Sequence, residues 1–115
     1  MNKDENPKRF DLEDRTFAFA KRVREFVKTL AKTTVNTEDG RQLIRASGSV
    51  GANYIEANEA FSKKDFLLRV KICRKESKES RYWLRLIEAN TEPIGKEREE
   101  LVQEAQDLRR YCSQK

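Results

Sequence analysis

An all-α fold, an antiparallel up-down-up-down four-helix bundle, is predicted by three features of this 115-residue sequence. Apolar residues recur at alternating three- and four-residue intervals in four successive stretches, the spacing that gathers them on one side of a helix. No stretch alternates with the period of two that a half-buried strand requires. Breakers are few, with four Gly and two Pro. Turn-forming residues cluster between the periodic stretches, so the connections are short and neighbouring helices reverse direction.

Residues 1–11 are polar, include Pro7 and read as a flexible N-terminal arm; residues 12–115 then form a single bundle. The first helix is expected over about 14–33, where Phe17, Ala20, Val23, Phe26, Val27, Leu30 and Ala31 make a stripe that Phe19 widens. The run T-T-V-N-T-E-D-G from Thr33 to Gly40 reads as a turn, which places the second helix at about 38–60. There Leu43, Ser47, Val50, Tyr54, Ala57 and Phe61 keep a 4-3-4-3-4 rhythm, with Ile44, Gly48, Gly51 and Ile55 in a second row. Glycine inside a helix costs roughly 1 kcal/mol relative to alanine. Gly48 and Gly51 therefore need a reason, and close approach of another helix supplies one. Ser62 and Asp65 form a capping box ahead of the third helix, expected over 63–90, in which Phe66, Val70, Cys73, Ser77, Ser80, Leu84 and Ile87 continue the rhythm. Thr91 to Gly95 breaks the chain. The last helix, 96–113, carries Leu101, Ala105, Leu108 and Cys112 or Tyr111 on one face.

Composition excludes several functions. Hydrophobic residues are 37% and charged residues 39%, a balance that in a chain without periodicity means disorder, and here points to a modest core that gains from assembly. No run approaches the roughly 18 apolar residues of a membrane span. The N-terminus lacks a signal peptide's apolar centre, so a soluble, cytoplasmic protein is expected. Cys73 and Cys112 lack metal-type spacing and read as reduced, packed thiols. The absence of histidine removes the commonest general base, Ser-His and Cys-His pairs and His-ligated metals. No catalytic residue, metal or cofactor is expected, and a ferritin-like di-iron centre is disfavoured. Gly48 to Gly51 matches the GXXG of a KH domain, but that loop needs neighbouring strands.

Charge is uneven. The whole chain is +5, and residues 61–91 alone carry nine Lys/Arg against four Asp/Glu. Lys71, Arg74, Lys75, Lys78, Arg81 and Arg85 fall within roughly a third of the third helix's circumference, opposite its apolar row. Lys71/Lys75, Arg74/Lys78 and Arg81/Arg85 are like-charge i,i+4 pairs, which slightly destabilise a helix. A face serving solubility alone would mix signs. Phosphate binding accounts for such a stripe, since each contact releases counterions. Aromatic residues interleave only at Tyr82, so the backbone rather than the bases is the expected ligand. Arg45, Asn53, Glu56, Glu76 and Glu79 are expected to form a polar network between helices or subunits that fixes register, with Lys75 and Arg81 as further counter-charges. Trp83 is expected as a packing or interface anchor. The broad apolar face of the first helix also points to assembly.

The run Ser49-Val50-Gly51-Ala52-Asn53-Tyr54 with Glu56-Ala57, then Ser62 with Asp65-Phe66, then Lys75-Glu76, Glu79 and Tyr82-Trp83-Leu84 resembles the four-helix-bundle proteins named for 23S rRNA intervening sequences. The resemblance spans helices two and three in order and with matching spacing. It implies a homopentamer of barrel-like shape with no assigned enzymatic activity. It also implies kinship with the accessory variability determinant of diversity-generating retroelements, a basic pentamer that binds nucleic acid and a reverse transcriptase. Lys71 and Arg74 depart from the family pattern, which has small or apolar residues there, so the stripe is not simply inherited. The expected function is a non-enzymatic homo-oligomer that binds RNA or DNA without sequence preference through helix three. The expected partners are copies of itself, a nucleic acid and a reverse transcriptase or other protein, without a membrane. The alternative is a protein-interaction scaffold whose basic face serves solubility or docking.

Overall fold

The computed structural model describes residues 7–114, with side chains from Leu12 to Gln114. It contains four helices, α1 (Pro7–Lys28), α2 (Thr34–Asn58), α3 (Lys63–Leu86) and α4 (Ile94–Ser113), and no strand among the described residues. Each helix packs on its neighbour in the chain, and α4 closes the bundle against α1. Leu12, Phe19, Val23 and Phe26 of α1 meet Leu43, Val50 and Tyr54 of α2, Cys73 and Leu84 of α3, and Leu101, Ala105, Leu108 and Cys112 of α4 in one core. Burying each large side chain of this set contributes about 1.5–3 kcal/mol before entropy is counted.

The helix boundaries correct the expectations from sequence, and capping explains most of the shifts. α1 begins at Pro7 rather than near residue 14, with proline at a helix start where its missing N–H costs nothing. Residues 1–6 of the expected arm lie outside the described residues, while Pro7–Asp11 is helical backbone. α1 also stops at Lys28, because the Thr29 hydroxyl and its amide both donate to the Phe26 carbonyl, at 2.6 and 3.0 Å. The T-T-V-N run is a helix start, not a turn. Thr33 is extended at φ −103°, ψ 163°, and its hydroxyl accepts the Asn36 amide at 3.1 Å, so α2 begins at Thr34. Ser62 caps α3 as the capping box predicts, accepting the Asp65 amide at 3.0 Å. α3 ends at Leu86 because Ile87 turns extended and its carbonyl accepts from the Arg98 guanidinium at 2.8 Å.

Glycine in α2 serves the close approach to α1. A Cβ at Gly51 would lie 2.9 Å from Thr16 Oγ1 and 3.1 Å from Thr16 Cβ, and one at Gly40 would lie 3.0 Å from a Val27 methyl. At Gly48 the neighbour is the Arg24 guanidinium, 3.4 Å away. Buried hydroxyls are satisfied locally: Ser77 and Ser80 donate to the Cys73 and Glu76 carbonyls one turn earlier, and Ser47 to Ile44.

Two expectations about side chains are overturned. Cys73 and Cys112 are not separate thiols but a disulfide joining α3 to α4. The residues lie 39 apart in sequence and meet only because α4 packs on α3. Phe17 and Phe61, counted with the apolar rows, are 67% and fully exposed. Phe17 sits at the edge of the α1 stripe, and Phe61 lies beyond the end of α2.

Candidate nucleic-acid interface

The basic stripe is positioned by the face of α3 that the core takes. Val70, Cys73, Glu76, Ser77, Ser80 and Leu84 are buried. At about 100° per residue the opposite side carries the cations. Lys71, Lys75, Lys78 and Arg85 are exposed, and Arg74 and Arg81 are half-buried at the edge of the packed face. None of these six forms an ion pair among the described residues, and Arg81 Nε is buried without a hydrogen-bond partner.

The other arginines differ. Arg15 grips Glu104 with two hydrogen bonds, at 2.6 and 3.1 Å, and its guanidinium lies over the Tyr111 ring. Arg22 meets Glu97 and Glu100. The Glu104 hydrogen bond raises the Arg15 pKa above the usual arginine value despite partial burial, and Glu97 does the same for Arg22. Arg41, Arg45, Arg69, Arg98 and Arg110 each face a carboxylate as well. The carboxylate partnering Arg41, Glu38, is lowered in pKa by the Arg41 hydrogen bond.

The polar network divides. Arg45 of α2 reaches across to α3, 2.8 Å from Glu79 and 3.5 Å from Glu76. Glu76 is only 6% exposed and its Oε1 makes no hydrogen bond; the Arg45 guanidinium is its ion-pair partner among the described residues and offsets part of the cost of burial. Asn53 belongs to a second group: it donates to the Ser49 carbonyl and hydroxyl, at 2.9 and 3.0 Å, and accepts from Arg69 at 3.2 Å. Arg69 was not singled out by sequence; its i,i+4 spacing from Asp65, which it approaches at 3.9 Å, was the available signal. Glu56 is exposed and joins neither group, and Lys75 and Arg81 do not reach these carboxylates. Trp83 is half-buried, edge-on to Tyr82 with ring centres 5.1 Å apart, and its Nε1 is buried without a partner.

Apolar residues interrupt and border the stripe. Leu67, Leu68, Tyr82 and Leu86 of α3 are half or more exposed, or nearly so, as is Ile55 of α2. Chemically, α3 offers ammonium and guanidinium donors to an anion with several oxygens, and guanidinium can grip phosphate with two parallel bonds. No helix is long and apolar enough to cross a membrane among the described residues.

Relatives agree with this architecture. A crystal structure of a protein with unknown function from the S23 ribosomal protein family of Bacteroides thetaiotaomicron is 26% identical, with a TM-score of 0.79. The match covers 93% of this chain and 96% of that one. Among curated proteins there is no match. The family of 23S rRNA-intervening sequence proteins matches residues 8–114, nearly the whole chain, taking in α2, α3 with its stripe, α4 and all of α1 but Pro7. The chain belongs to the 23S rRNA-intervening sequence protein family.

Proposed function

We propose that this protein is a non-enzymatic homopentamer of antiparallel four-helix bundles that holds nucleic acid by its phosphate backbone, without sequence preference, through the outer face of α3. One observation carries the reading. Six cations crowd one helix face with no carboxylate among them, while Arg15 and Arg22 at the α1/α4 seam and Arg45 at the α2/α3 seam are paired. Like charges so placed repel, and a polyanion relieves that repulsion by releasing its own counterions.

The antiparallel arrangement is supported by paired positions whose numbers run in opposite directions. Arg15 and Arg22 of α1 meet Glu104 and Glu97 of α4, Arg45 and Asn53 of α2 meet Glu79 and Arg69 of α3, and Cys73 and Ile87 meet Cys112 and Arg98. Assembly is supported by two separate apolar areas. Phe17 and Ile55 flank the α1/α2 contact, and Leu67, Leu68, Tyr82 and Leu86 lie on α3. Two different areas favour head-to-tail rings over a two-fold dimer. The number five is the one the family resemblance implies. Light scattering after size exclusion should give five times the 13.5 kDa chain; a monomer at micromolar concentration overturns the assembly.

The decisive measurement is a titration with labelled structured RNA and duplex DNA at two salt concentrations. Binding should weaken steeply with salt, and no binding at low salt sinks the reading. In a chain that does not assemble, the same α3 leucines stay open and favour a second reading, a docking face for a protein such as a reverse transcriptase. That reading gains if a partner binds without salt dependence and Leu68→Ser and Leu86→Ser abolish it.

A further inference from the structure

We infer that the nucleic-acid track is a trench along the α3/α4 seam, with Arg109 of α4 as its second wall. The inference rests on the nucleic-acid reading above and places the ligand more narrowly than one helix face. Two contacts define which side of α4 looks at α3. Arg98 donates to the Ile87 carbonyl at the end of α3, and Cys112 is bonded to Cys73. Arg109 lies eleven residues after Arg98, three full turns at about 3.6 residues per turn, and so falls on the same stripe. It also stands one turn before Cys112. In an antiparallel pair that brings it level with the turn after Cys73, where Arg74 and Lys78 project.

The flank of α3 is equally defined. Arg45 reaches Glu76 and Glu79 from α2, which marks one side of α3 as the α2 side. Arg74 and Arg81 are half-buried at the opposite border of the packed face, the side left for α4. Both walls are therefore basic. Of the α4 carboxylates, Glu97, Glu100 and Glu104 turn to Arg15 and Arg22 of α1, Asp107 pairs with Arg110, and Glu99 takes one nitrogen of Arg98 at 2.9 Å, leaving Arg109 as the cation of this wall without a carboxylate. Arg109 is exposed and has no ion pair among the described residues. Arg81 Nε and Arg98 Nε, on the two walls, are both buried without hydrogen-bond partners. A phosphodiester lying in the seam supplies oxygen acceptors to cations of both helices at once, which a single convex face cannot do.

Neighbouring arginines of α4 make the test sharp. Arg109 and Arg110 carry the same charge on consecutive residues, but they point about 100° apart and only Arg110 is paired. Anisotropy titrations of a labelled duplex RNA and a duplex DNA are run with the unaltered chain, Arg109→Ala and Arg110→Ala, with circular dichroism and light scattering to verify folding and assembly. Arg109→Ala should weaken binding about 3- to 10-fold and lower the salt slope by about 1, the loss of one phosphate contact. Arg110→Ala should leave both unchanged. If the unaltered chain binds and the two variants behave alike, the trench is overturned while α3 binding stands. If the unaltered chain does not bind at low salt, the function proposed above falls and the trench with it.

Discussion

The α1/α4 seam and the outer face of α3 treat their cations in opposite ways. On the seam, Arg15 and Arg22 are answered by Glu104, Glu97 and Glu100, whose hydrogen bonds raise both guanidinium groups above the usual arginine pKa. On α3, Lys71, Lys75, Lys78 and Arg85 project into solvent beside one another. Charge on the seam fixes where α4 sits, and removing it loosens the bundle. Charge on α3 fixes nothing within the chain, so its removal should leave folding intact. A stability measurement and a binding measurement thus separate structural from functional charge.

The largest expected effect tests the other tie that holds α4. The Cys73–Cys112 link closes a loop of 39 residues, and losing such a link costs about 4 kcal/mol by chain entropy. Reductant should lower the melting temperature clearly, and a thiol assay in denaturant without reductant should find no free cysteine. Two titratable thiols in the freshly purified protein contradict the pairing. Next comes Gly51→Leu, which forces a side chain into Thr16 at 2.9 Å and should cost about 3 kcal/mol. Unchanged melting there removes the close α1/α2 contact.

Replacing Lys75, Lys78 and Arg81 with Gln should weaken nucleic-acid binding about 10- to 100-fold and reduce the salt slope by about 1 per residue. The melting temperature should hold or rise, because i,i+4 repulsion is relieved. A fall in stability with intact binding inverts the comparison. Smallest is Glu104→Gln. It leaves Arg15 with a weaker partner at a half-exposed site and should cost about 1 kcal/mol, read by denaturant unfolding, with binding unchanged. Because Arg15 is raised above its ordinary range, its charge and this contribution are kept at neutral and mildly alkaline pH.

Periodicity made the helices legible because it reports burial within one element. The Ser62–Asp65 cap and the Gly51 contact were readable for the same local reason. Thr33 shows how local chemistry can be ambiguous: threonine before a polar run suits a turn and a cap equally, and only the Asn36 amide decides between them. Pairings across the fold were not readable. Arg15 finds Glu104 at 89 residues' separation, and Arg69 rather than a lysine of the stripe finds Asn53. For the candidate site, sequence identified the six cations by helical phase, while their lack of carboxylate partners depends on which way α2 and α4 turn their own acids.

Packing each helix on its neighbour in the chain also bears on how quickly the molecule forms. Most contacts join α1 to α2, α2 to α3 and α3 to α4, so little loop entropy is lost before they form, and such helical topologies fold in microseconds to milliseconds. Closing α4 onto α1 is the exception, since Arg15 must find a residue near the opposite end of the chain. We expect that step to follow the transition state. Glu104→Gln should then speed unfolding and leave the folding rate almost unchanged, whereas Leu84→Ala, in the core between neighbouring helices, should slow folding.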